Sequence, residues 1–360
     1  MKKIFFLWLI VLVSTLIVWL PFSAKDEMTK VFANFDGPNY IVIAKCWYNK
    51  DCIGKTFSLP LPLEYYPAHF PGYPFLISIF DQFLPGWWAM LAVNVLSAGI
   101  MTTTFYLFLK YLKINNPIWL SLIVLFLPAR MLILRTIGAP ETLFISAILL
   151  SILFYKKEKY LLSGIFLALA QTIKTPAILL FAAYGLDILL TDKINLKKWL
   201  KKSALLLGPL VILPIFWFFQ RQTGDFFAYF HSGDNFHLVF PPFQTFVSSR
   251  SWLGDFWLED VIYIYLIGGL AILYLIKKYK RDIIVLFPAI FYIATLFIAH
   301  RDLSRYSSPL YPFWIIAFSG FLKKKEFKII FFVLLLAVYF YTINFINYNT
   351  APVADWTPYI

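Results

Sequence analysis

Lys323-Lys324-Lys325-Glu326-Phe327-Lys328 and the run that follows, Ile329-Ile330-Phe331-Phe332-Val333-Leu334-Leu335-Leu336-Ala337-Val338-Tyr339-Phe340-Tyr341-Thr342-Ile343-Asn344-Phe345-Ile346, decide the fold class. A cluster of lysines gives way to a stretch without one charged side chain. Roughly 20 such residues cross the hydrocarbon of a bilayer as a helix, and clustered Lys and Arg mark the cytoplasmic ends of such helices. The alternation recurs along the chain. Apolar runs cover 4–22, 87–109, 118–134, 143–155, 160–173, 177–190, 205–219, 261–276, 283–299, 306–322 and 329–346. The composition agrees: 61% of the 360 residues are hydrophobic and only 14% charged, too little polar surface to cover a soluble globule. The expected fold is an all-α integral membrane protein with about eleven transmembrane helices. Lys174 and Pro176 separate two short runs, so a broken or re-entrant helix is an alternative there.

Charge placement orients the layout. With Lys2 and Lys3 inside and the runs alternating, the inside segments collect 20 of the 32 basic residues but only 5 of the 19 acidic ones. The net charge of +13 therefore reflects topology, with an N-terminus in the cytoplasm, and no basic soluble face exists for nucleic acid. The first run reads as an uncleaved anchor rather than a signal peptide, because it is long for the latter. Inside loops are too short for a nucleotide-binding domain, which excludes an ATP-driven pump within the chain. One domain, 1–360, is expected, with two large outer loops at about 23–86 and 220–260. Cys46 and Cys52, the two cysteines, share the first of these. A disulfide is permitted in an oxidising compartment; two free thiols fit equally.

The unusual residues gather in the outer segments. Asn34-Phe35-Asp36-Gly37-Pro38-Asn39-Tyr40 places Asp36 before a short apolar stretch, 41–44, that could lie flat at the interface. Asp36 is a candidate base, with helix capping the alternative. Tyr65-Tyr66-Pro67-Ala68-His69-Phe70-Pro71-Gly72-Tyr73-Pro74 predicts an extended, proline-stiffened wall of a cleft, or else an interfacial aromatic belt. Arg135 precedes Gly138-Ala139-Pro140-Glu141, where Glu141 suits a helix N-terminus. Lys174 either snorkels or binds an anion. Gly224-Asp225 through His231, Asp234 and His237 offers polar groups, though the spacing of the two histidines is not that of a helical metal pair. Arg301 and Arg305 are four apart, so one helical turn aims both at one side, a strong site for phosphate; pairing with Asp302 is the alternative.

These stretches resemble the integral-membrane glycosyltransferases of the GT-C superfamily, and most closely the GPI mannosyltransferase II (PIG-V-like) family. The similarity lies in Phe35-Asp36 with Tyr40 and Ala44, in Tyr66-Pro67-Ala68-His69-Phe70-Pro71-Gly72-Tyr73-Pro74, in Pro140-Glu141-Thr142-Leu143-Phe144, and in Gly224-Asp225 with Ala228-Tyr229. The chain has Phe35 where the family has Trp, and only Gln171-Thr172-Ile173-Lys174 where it is Arg-rich. The resemblance implies transfer of a sugar, mannose in particular, from a polyprenyl-phosphate donor to a lipid or glycan acceptor, inverting, with Asp36 as general base. Arg301, Arg305, Lys174 and Arg135 would hold the lipid phosphate; Tyr66, His69, Glu141, His231 and Asp234 would orient sugar or acceptor. No cofactor and no metal are expected, membrane lipids are the surroundings, and the site faces outward from a plasma membrane or into an endoplasmic reticulum. The rival reading is a flippase for lipid-linked sugars or another secondary transporter, which would keep its charges near the midplane.

Overall fold

The computed structural model describes residues 1–192, 195–233, 237–246 and 258–360. Among the described residues the protein is helical, with no strand and two isolated bridges, Asn34 to Thr350 and Leu238 to Ile298. Among the described residues, six helices are long and apolar enough to cross a membrane: Lys2–Ser23, Gly86–Tyr111, Thr175–Asp192, Leu196–Thr223, Glu259–Tyr279 and Lys325–Tyr348. The remaining apolar runs form shorter helices, because proline interrupts them or their helices stop early. Pro128 divides the run at 118–134 into Pro117–Phe126 and Arg130–Leu134, since proline supplies no N–H to the helical ladder. Residues 306–322 likewise break into Ser308–Leu310, Tyr311–Ala317 and Phe321–Lys323. The break expected at Lys174 is present: that residue is extended between Tyr160–Ile173 and a 3-10 turn, Thr175–Ala177.

Gly86–Tyr111 is the central post. Its apolar window is 67% buried, against 22–28% for the other five long helices, which turn most of their surface outward. Leucine and valine facing outward from a helix bundle cost nothing in lipid, whereas a central helix needs small residues for close approach. Gly99 shows this: a Cβ there would lie 2.5 Å from the Trp8 ring, so Lys2–Ser23 packs flush against the post. The Asn94 amide on the same post donates to Leu134 O at 2.9 Å and its oxygen accepts from Thr142 Oγ1 at 3.0 Å. One side chain thus fixes both flanks of the irregular segment that delivers Glu141.

The first large loop is more regular than its prolines suggest. It contains Met28–Phe32, Gly37–Cys46, Lys50–Thr56, a 3-10 helix Leu63–Ala68 and a helix Gly72–Phe80. The extended wall expected at 65–74 is instead a 3-10 turn followed by a helix start, where Pro74 sits in the first turn and needs no N–H partner. The stretch 41–44 is not a surface helix either. Ile41, Val42 and Ile43 are fully buried within Gly37–Cys46, because Gly72–Phe80 and Gly86–Tyr111 enclose it. A disulfide joins Cys46 to Cys52, with Cα atoms 5.6 Å apart. The end of the chain returns to this loop. Asn34 donates to Lys30 O and to Ile346 O, and Ala351 N donates to Ala33 O at 2.7 Å.

Loops sort into two groups. Among the described residues, ion pairs from one loop to another keep to these groups: Lys156 with Asp282 in the lysine-rich group, and Arg305 with Asp36 and Glu141, and Lys174 with Glu141, in the other; Arg130, inside the run at 118–134, pairs with Asp302 of the second group.

Candidate functional site

The second group of loops closes around a cavity of about 510 Å³. Asp36 reaches it from the N-cap position of Gly37–Cys46. Its side chain makes no cap bond; Oδ2 instead accepts from Arg305 Nη2 at 2.9 Å. Gly37 is required beside it, because a Cβ would meet Phe32 O at 2.7 Å and the Met90 side chain at 3.3 Å. Arg305 comes from the short turn Leu303–Tyr306. Its Nε donates to Glu141 Oε1 at 2.8 Å, and Lys174 Nζ donates to the same oxygen at 2.8 Å. Glu141, the first residue of its helix, is 1% exposed. Two carboxylates and two cations therefore meet in one neutral cluster, as burial of charge demands. Glu141 Oε2 has no hydrogen-bond partner among the described residues.

Electrostatics follow from this pairing. Burial alone would raise the Asp36 carboxyl, but Arg305 outweighs it and holds Asp36 below the usual carboxylate range. Burial pushes the His69 imidazole down, so near neutrality it is uncharged. Tyr48 Oη donates to His69 O at 2.7 Å, and the His69 ring lies 5.0 Å from Tyr40 and 5.4 Å from Tyr65. His69 Nε2 is buried without a partner among the described residues. Gly72 lets this segment approach the break before Lys174: a Cβ there would stand 2.5 Å from Thr172 Oγ1 and 2.7 Å from Thr172 O. Opposite, 237–239 is stitched to 297–299 by Val239 N to Phe297 O and Ala299 N to His237 O. His300, which burial and then His237 push down to about 4, also lines the cavity. Most of the remaining wall is apolar, with Phe144, Leu179, Phe291 and Ile298 prominent, and Tyr40, Tyr65, Thr175, Thr295 and Tyr306 add hydroxyls.

Of the sequence candidates, Asp36, Glu141, His69, Lys174 and Arg305 converge here. Arg301 does not. It precedes the helical turn rather than sharing it, and is exposed, so the expected pair of guanidiniums on one side is a single one. Asp302 pairs with neither; it binds Arg130 at 2.9 Å. Tyr66 is 1% exposed and turned away, while Tyr65 lines the cavity, because successive residues of a 3-10 turn point about a third of a revolution apart. His231 pairs with Asp225 at 2.5 Å, outside the cavity. Asp234 lies outside the described residues. Sequence reasoning missed Tyr40 as a lining residue together with Tyr65, His300 and Tyr306; the tripeptide His300-Arg301-Asp302 was the available signal.

Arg135 is also elsewhere. It is fully buried, donating to Leu125 O at 2.9 Å, Thr15 Oγ1 at 3.0 Å and Ser14 Oγ at 2.8 Å. It ties the first helix, Lys2–Ser23, to the helix Pro117–Phe126. Arg135→Met is expected to cost about 1–3 kcal/mol for each buried acceptor it orphans. A thermal melt in detergent checks this, and the ligand affinity of the folded fraction should not change.

No protein-family model matches the chain, and no curated protein matches it.

Proposed function

We propose that this chain is a membrane glycosyltransferase of the GT-C kind, moving a hexose, mannose by its PIG-V-like resemblance, from a polyprenyl-phosphate donor to a lipid or glycan acceptor. The observation that carries the reading is the cavity wall itself, where Asp36, Arg305, Glu141 and Lys174 share space with a lining that is mostly apolar and aromatic. An amphiphile with an anionic head and a hydrocarbon tail matches both halves. The two carboxylate bonds of Arg305 use two of the five N–H donors of a guanidinium, leaving others for a phosphate oxygen.

In the proposed reaction Asp36 takes the proton of the acceptor hydroxyl as that oxygen attacks the anomeric carbon. The bond from that carbon to the phosphate oxygen breaks with its electron pair, and configuration inverts. The lipid phosphate leaves as an anion, which Arg305 and Lys174 stabilise, so no separate proton donor is needed. Tyr65, His69 and His300 would hold the sugar or acceptor by hydrogen bonds and ring stacking. Supplying the purified protein with labelled polyprenyl-phosphate mannose and identifying the labelled product tests this; hydrolysis alone, or no turnover with any polyprenyl-phosphate hexose, would sink it.

The eleven-span topology, with the cavity on the side away from the lysines, belongs to the same proposal. Two observations support it: ion pairs keep within each loop group, and the Cys46–Cys52 disulfide lies in the cavity-side group, as oxidising surroundings allow. In intact cells an impermeant maleimide should label Cys46 and Cys52 after mild reduction. Replacing both by serine should lower stability by about 2 kcal/mol for so short a loop, measured by thermal unfolding.

A further inference from the structure

Arg305 is held by more than its two carboxylates. Its guanidinium stacks 4.3 Å from the centre of the Phe35 ring, and Phe35 lies 5.3 Å from Phe345 of the helix Lys325–Tyr348. The guanidinium of Arg130 sits 4.2 Å from the centre of the Phe345 ring. Arg130 Nη2 binds Asp302 Oδ1 at 2.9 Å. The same Asp302 oxygen accepts from the backbone N–H of Arg305 at 3.4 Å, capping the turn that carries it. The contacts therefore form a closed ring: Arg305, Phe35, Phe345, Arg130, Asp302 and back to Arg305. Asp302 N also donates to His300 Nδ1 at 2.9 Å. In the neutral ring this leaves the proton on Nε2, so His300 offers a donor. Arg130 is mostly buried, and its Nε and Nη1 have no partner among the described residues. Such a costly placement is hard to explain by stability, which an apolar residue would serve better.

We propose that Arg130, Asp302 and Phe345, none of which lines the cavity, are positioning residues that fix Arg305 for an anionic lipid headgroup. The proposal rests on the lipid-phosphate reading above and says which residues outside the cavity set its geometry. A guanidinium on a long side chain loses its directional fork unless its stem and plane are both constrained. Here the cap fixes the stem and the ring stack fixes the plane.

The test uses the full chain in detergent, with dodecyl phosphate as the binding probe and a polyprenyl-phosphate hexose as the donor. Phe345→Leu, Asp302→Asn and Arg130→Met are made singly and each combined with Arg305→Met. Each single variant should bind dodecyl phosphate roughly tenfold more weakly, the scale on which lost supporting contacts act, with donor KM rising in step and kcat within about threefold. Phe345→Leu removes no charge and keeps the helix apolar, so it remains informative where Arg130→Met does not fold. In the Arg305→Met background all three should add little, because they act through Arg305. Additive losses in that background, or unchanged affinity accompanied by a lower melting temperature, would overturn the proposal and make the ring a fold element only. Wild-type protein that binds dodecyl phosphate yet transfers no sugar would remove the transferase reading and leave the ring standing. Wild-type protein that does not bind it removes both.

Discussion

Asp36→Asn should lower kcat for sugar transfer by about 10²- to 10⁴-fold, the usual contribution of a positioned general base, while leaving dodecyl phosphate affinity within a few-fold. Asparagine matches the carboxylate in shape, and its amide oxygen can still accept from Arg305 Nη2, so the fold should survive. Transfer from labelled donor and binding of dodecyl phosphate are measured on the same preparation. A flippase would transfer no sugar in either protein; undiminished transfer by the variant would remove Asp36 from the chemistry. The pH dependence has a fixed sign. Arg305 holds Asp36 below its ordinary value, so the carboxylate is ionised throughout the neutral range. Any acid limb due to Asp36 lies below the ordinary carboxylate pKa of about 4. The stabilisation from its ion pair is likewise fully present above about pH 4 and is lost only as pH falls through the depressed folded value.

The second large effect is expected at Arg305. Arg305→Met leaves Asp36 without its cation and Glu141 with Lys174 alone, and removing one partner from a buried pair costs about 3–5 kcal/mol. Thermal unfolding should show a clear fall, and dodecyl phosphate should bind about a hundredfold more weakly, which a titration still reads. Two companion variants separate charge from geometry. Arg305→Lys keeps the charge but cannot bridge Asp36 Oδ2 and Glu141 Oε1 with one planar fork, so stability should partly return while affinity does not. Combining Asp36→Asn with Arg305→Met should recover part of the lost stability, because the orphaned carboxylate disappears. An Arg305→Met protein as stable and as strongly binding as the wild type would show that the cluster is not what holds the cavity together.

Much of this was legible in the sequence, for reasons that differ between residues. The apolar runs are visible because burial in lipid or in a helix bundle imposes the same composition. How far each helix extends is not, since Pro128 and the prolines after Ser308 end helices that hydropathy alone continues. Asp36 and Arg305 stood out as charges beside apolar stretches, yet their meeting across 269 residues is a fact of packing that spacing cannot encode. Arg135 misled because proximity to a loop resembles membership of it; its side chain runs toward Ser14 and Thr15. Tyr66 misled by one position, as a 3-10 turn reverses the exposure of neighbours. The role of Asp302 was hidden because its partner, Arg130, lies within a run that reads as a membrane span.

The closure of Thr350 and Ala351 onto Asn34 and Ala33 bears on how the protein is made. A ribosome that has delivered Asp36 to the membrane must still synthesise Arg305, and then the last long helix, before the loop bearing Asp36 acquires its neighbours. Until that moment the nascent polypeptide holds an acid without its clamp. The proposed transferase therefore has to wait for the last helix before its cluster is complete, and a chain terminated upstream of Arg305 lacks that cluster altogether.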